Sequence, residues 1–98
     1  MQVFSGSRPA QIRLYCDVPG SPATSLTVAV YDVNQAPVAV TNGVIANTVG
    51  WEERIVTVDL LAGTFTVGLP WTVRLTHSLD LGITMRLARV VVEFWPYP

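Results

Sequence analysis

Trp71-Thr72-Val73-Arg74-Leu75-Thr76-His77-Ser78-Leu79 is the stretch from which the fold reads. Trp71, Val73, Leu75, His77 and Leu79 share one parity, and Thr72, Arg74, Thr76 and Ser78 share the other. Successive side chains of an extended chain point to opposite faces. The pattern therefore predicts a strand with one face on a core and the other in water. A helix would need apolar residues three and four apart, and such spacing is hard to find in this chain. Trp71, which heads the strand, is expected in the core, where a sandwich takes a large residue.

The same alternation recurs on both sides. Ile12, Leu14 and Cys16 alternate with Arg13, Tyr15 and Asp17. Leu26, Val28 and Val30 share a face within residues 25–32, and Val56, Val58 and Leu60 alternate with Ile55, Thr57 and Asp59. Short strands are expected at 38–41, 44–47 and 64–67. Asn42-Gly43 tolerates the positive φ of a type I′ turn and predicts a hairpin joining 38–41 to 44–47. In the last strand, 83–95, Ile83, Met85 and Leu87 lie on one parity but Val90, Val92 and Phe94 on the other. A parity switch requires an extra residue, which predicts a bulge or bend near Ala88-Arg89. Turn-rich segments fall at 18–24 and 32–37, at Asn47–Gly50 ahead of Trp51, Glu52 and Glu53, and at Asp80-Leu81-Gly82.

Sixteen valines, ten threonines and four isoleucines make β-branched residues the dominant class, which favours strands. Seven or eight short antiparallel strands with frequent turns predict an all-β, Ig-like two-sheet β-sandwich. A small barrel or jelly roll is the alternative. Residues 1–98 are expected to form one domain, with 1–9 as an N-terminal arm and 94–98 as an aromatic and proline-rich tail.

The 98 residues carry six basic and seven acidic side chains, a net charge of -1. That balance excludes an electrostatic nucleic-acid binder and a polybasic membrane-surface domain. One cysteine excludes an internal disulfide framework, and one histidine excludes a multi-histidine metal site. No apolar window is long enough to span a bilayer as a helix, and the N-terminus lacks the pattern of a signal peptide. Charged residues are 13% of the chain, against a typical figure of about 25%. A small domain has much surface to cover, so part of this surface is read as a contact area rather than a face for water. All six basic residues are arginine, a residue enriched at interfaces where lysine is depleted.

Val28-Ala29-Val30-Tyr31-Asp32-Val33-Asn34-Gln35-Ala36-Pro37-Val38-Ala39-Val40-Thr41 has an apolar strand ending in Asp, a turn, and Pro-Val opening the next strand. It resembles a strand–loop–strand of bacterial and phage Ig-like modules. Ala62-Gly63-Thr64-Phe65-Thr66-Val67 resembles a later strand of such modules. The two stretches cover about 20 residues, and Gln35-Ala36 stands where such loops often carry glycine. Modules of this kind decorate phage capsids, tail tubes and baseplates. The resemblance implies a virion component.

The residues capable of chemistry have simpler readings. His77 is the one side chain whose ordinary pKa lies near neutrality. It shares the parity of Trp71 and Val73, so it is expected on the core face or at an interface, with a hydrogen-bond partner. Cys16 alternates with apolar residues and reads as a small buried hydrophobe. Glu52 and Glu53 are neighbours that would face opposite ways on a strand, a poor acid–base pair, and are expected in a solvated loop. No catalytic, cofactor-binding or metal-binding residue is assigned.

Trp51, in a Gly/Glu loop, is the aromatic expected to be exposed, as a contact or as loop packing. The terminus Phe94-Trp95-Pro96-Tyr97-Pro98 is expected to pack on a partner or to fold back over the end of the sandwich. Trp51, Arg89, Phe94, Trp95 and Tyr97 are therefore the interface candidates. The expected function is that of a non-enzymatic structural protein in a symmetric assembly, a phage virion component, whose partners are copies of itself or neighbouring subunits. The alternative is a carbohydrate-binding or adhesion module that uses exposed aromatics on a glycan.

Overall fold

The structure, a computed structural model, describes residues 2–5, 8–66 and 68–95. Its strands are β1 (Gln2–Ser5), β2 (Arg8–Asp17), β3 (Ser25–Tyr31), β4 (Pro37–Val38), β5 (Val40–Thr41), β6 (Val44–Ile45), β7 (Glu52–Val58), β8 (Pro70–Ser78) and β9 (Arg86–Trp95). They form two antiparallel sheets. The first runs β1-β8-β3-β4, with β6 also pairing to β3, and the second runs β5-β7-β2-β9. The fold is thus an all-β two-sheet sandwich. Within the expected arm, Gln2–Ser5 pairs with β8, Phe4 lying opposite Trp71.

The core follows from the alternation. Ile12, Leu14, Cys16, Val56 and Val58 enter it from the second sheet, and Leu26, Val28, Val30, Trp71 and Val73 from the first. Trp71 is fully buried, as expected. Phe65 and Phe94 meet its ring edge-on, with centroids 5.9 and 6.0 Å away. Each fully buried large aliphatic side chain contributes about 1.5–3 kcal/mol relative to exposure.

The predicted bulge is present. Cys16 lies opposite Leu87 and Tyr15 opposite Arg89, so Ala88 is the extra residue of β9. It brings Leu87 to the core-side parity of Val90, Val92 and Phe94 although the spacing along the chain is odd. A second irregularity leaves Ala10 unmatched between Pro9 and Gln11.

Four expectations are corrected. Asn42-Gly43 is no hairpin: β5 pairs with β7 in one sheet, and β6 pairs with β3 in the other. The pair carries the chain between layers, with Asn42 at φ 62° and the Gly43 carbonyl accepting the Val28 N–H at 2.7 Å. Thr64–Thr66 is not a strand, because the Thr64 N–H is spent on the Asp32 carboxylate and its carbonyl on the Val33 N–H; Val67 lies outside the described residues. Ile83–Met85 likewise stays out of β9, since the Ile83 N–H closes a turn on the Asp80 carbonyl at 3.2 Å. Glu52 and Glu53 open β7 rather than lying in a loop. In the Asp32 loop, Gln35 adopts φ 62° without being glycine, held by the cage of backbone hydrogen bonds around Asp32.

Candidate interaction surface

The outward parity of the second sheet gathers its exposed side chains into rows. Register places Glu53, Tyr15 and Arg89 side by side, then Ile55, Arg13 and Val91, then Thr57, Gln11 and Glu93. Asp17 lies opposite Arg86 at one end of this face, and Trp51 immediately precedes β7 there.

At that end Trp51 stacks on Tyr15, with centroids 5.2 Å apart and planes 18° from parallel. The Arg86 guanidinium lies 4.9 Å from the Trp51 centroid, and that of Arg89 lies 5.8 Å from the Tyr15 centroid. Arg86 is anchored to Asp17 at 2.5 Å. Trp51 is therefore packed on its own chain, against Tyr15, and still 37% exposed. Stacked arginine and aromatic rings resist rotation while keeping their edges in solvent.

In the middle of the face Arg13 donates to the Glu93 carboxylate and sits 3.6 Å from Glu53. Gln11 also donates to Glu93, at 3.0 Å. These hydrogen bonds, from Arg13 first and then Gln11, hold the Glu93 carboxyl below its ordinary pKa, and the Glu93 carboxylate in turn pushes the Arg13 guanidinium above its own. Glu52 turns away to accept the Val49 N–H and to pair with Arg54 at 3.5 Å.

The first sheet presents a different outer face. Ser25 pairs with Ser78, Thr27 with Thr76, Ala29 with Arg74 and Tyr31 with Thr72. Arg74 is the one charged residue in those four pairs, and its guanidinium lies 4.6 Å from the Tyr31 centroid. Hydroxyl groups supply the polarity of this face.

The remaining candidates divide. Phe94 turns inward and meets Trp71, while Trp95 is exposed. Arg89 is exposed beside Tyr15. Tyr97 lies outside the described residues. His77 is exposed rather than in the core: β1 flanks β8 only from Pro70 to Val73, and burial along β8 falls away beyond it, although His77 lies opposite the buried Leu26. It lines a shallow apolar groove of about 260 Å³ with Leu26, Leu75, Leu79, Met85 and Leu87. Cys16 is fully buried, as expected, and burial first of all pushes its thiol pKa up, the reverse of what a thiolate nucleophile requires.

Sequence reasoning missed the Tyr15–Trp51 stack and the Asp32 cage. The first depends on the pairing of β2 with β7. The second shows only as an Asp in a turn, and Thr64, its distant partner, is 32 residues away. Among the described residues, no helix is long and apolar enough to cross a membrane. No family model, no curated protein and no solved structure matches the chain.

Proposed function

We propose that this chain is a non-enzymatic structural subunit of a symmetric protein assembly, of the kind from which phage virions are built. The supporting observation is that part of the exposed apolar side chains falls into two groups, while Val44, Val49, Leu61 and Leu69 stand outside them. Tyr15, Trp51, Ile55 and Val91 are exposed on or beside the outer face of the second sheet, and Leu79, Leu81 and Leu87 at the end where β8 passes to β9. Scattered apolar residues are ordinary on a surface, but grouped ones mark contact sites. Here they lie among planar arginines, the composition favoured at interface centres. A standard interface takes about 800 Å² from each partner, against 5699 Å² for this chain.

Sedimentation velocity and native mass spectrometry test the reading, with the chain alone and mixed with the products of neighbouring genes. Discrete oligomers or hetero-complexes are the expected result. A chain that stays monomeric in every mixture overturns it. Glycan-array binding that disappears in Trp51→Ala would replace it with the carbohydrate-binding reading, since the Trp51–Tyr15 pair is the aromatic platform such binding would use.

A further inference from the structure

The open edge of β9 carries the inference. Among the described residues, nothing pairs with β9 on the side away from β2. The other strands that end a sheet path are short, four residues in β1 and two each in β4 and β5, whereas β9 has ten. A long unpaired edge offers a row of backbone donors and acceptors to any strand that reaches it, and proteins blunt such edges with proline, charged side chains, bulges or very short length; here the bulge lies at the Ala88 end, and the charges at Arg89 and Glu93 are of opposite sign. Residues 86–95 hold neither proline nor lysine. The bulge at Ala88 ends the regular part, and the contact considered below uses the five residues from Arg89 to Glu93. The core is also thinner here: Val90 and Val92 are only partly buried, while Ile12 and Leu14 of the adjacent β2 are fully buried.

The order of residues along this edge selects a partner. In an antiparallel pairing of β9 with a second β9 about a two-fold axis at Val91, Val91 faces Val91, Val90 faces Val92, and Arg89 faces Glu93 twice. Both members of every pair come from one parity, so all side chains stay on their present faces. Arg89 and Glu93 both lie on the outer face, and Val90 and Val92 on the core side. Such an isologous contact closes on itself.

We propose that the chain forms a two-fold dimer in which the β9 edges of two copies pair antiparallel about Val91, joining their second sheets into one continuous sheet. This rests on the assembly reading above and names its first contact. Glu93, already held by Arg13, accepts a second arginine from the partner copy. Val90 and Val92 gain the cover that the edge of a single sandwich lacks.

The test is a charge exchange read by sedimentation velocity, with circular dichroism to verify folding. Arg89→Glu alone sets two carboxylates opposite each other at both ends of the contact, and Glu93→Arg alone sets two guanidiniums there. Each variant is expected to weaken the dimer about tenfold or more, since like charges directly opposite are unfavourable. An equimolar mixture of the two restores opposite pairs and is expected to recover a heterodimer. Independently, Val91→Cys is expected to give a disulfide-linked dimer on mild oxidation, while Ile55→Cys, on the same face but two strands inward, is not. An oligomer that ignores both charge changes, with no disulfide formed by Val91→Cys, would overturn the β9 contact while the assembly reading survives. A chain that self-associates under no condition yet binds a neighbouring gene product overturns the dimer alone. A chain that does neither overturns both.

Discussion

Asp32 organises more backbone than any apolar residue near it. Its carboxylate accepts the N–H groups of Asn34, Ala36 and Thr64 at 2.9, 3.0 and 2.9 Å, tying the β3–β4 turn to the segment after β7. These bonds, that from Thr64 first, lower its pKa. Asp80, bonded by Ser21 and Ala23, and Glu93 are lowered as well. A carboxylate with a depressed folded-state pKa contributes stability that is complete above its unfolded value, about 3.9 for Asp and 4.3 for Glu. That stability is lost as pH falls through the lower folded value. The melting temperature is therefore expected to decline below about pH 4, and Asp32→Asn is expected to melt lower at neutral pH with a shallower acid decline. Equal pH dependence in the two proteins would refute the assignment. The apolar residues follow face rather than type. Leu14→Ala, in the core, is expected to cost about 2–5 kcal/mol in urea unfolding. Ile55→Ala, on the outer face of the adjacent strand, is expected to stay within about 0.5 kcal/mol.

The strands show where alternation was sufficient and where it was not. The bulge in β9 was legible because a parity switch within one continuous strand needs an unpaired residue, and pairing placed that residue at Ala88. Asn42-Gly43 was misread as a hairpin because local turn preference says that a chain can reverse, not which strand receives it. In the fold Gly43 approaches β3 so closely that an added Cβ would stand 2.8 Å from the Val40 side chain and 3.0 Å from the Val28 carbonyl oxygen. Gly43→Ala is accordingly expected to destabilise by about 1–3 kcal/mol through crowding. Asn42→Gly, at φ 62°, is expected to be tolerated. Should Gly43→Ala melt like the parent, the layer switch would not need the close approach.

The molecule is asymmetric in charge. The outer face of the second sheet holds Arg13, Asp17, Glu53, Arg86, Arg89 and Glu93, whereas the four paired rows of the first hold Arg74 among hydroxyls. Placing Lys at Thr27 and Glu at Thr76, which lie opposite each other, is expected to change stability by less than about 1 kcal/mol. The pair is expected to raise the concentration at which light scattering begins. An unchanged scattering threshold would mean that the hydroxyl face is not a sticky surface. The period of two settled the identity and faces of β2, β3 and β8 and the burial of Trp71 and Cys16, because that pattern is local and repeats every other residue. It did not settle strand partners, the exposure of His77 or the meeting of Trp51 with Tyr15. Those depend on which segments the two layers bring together and on where the layers stop, and neither is encoded in any short stretch of chain.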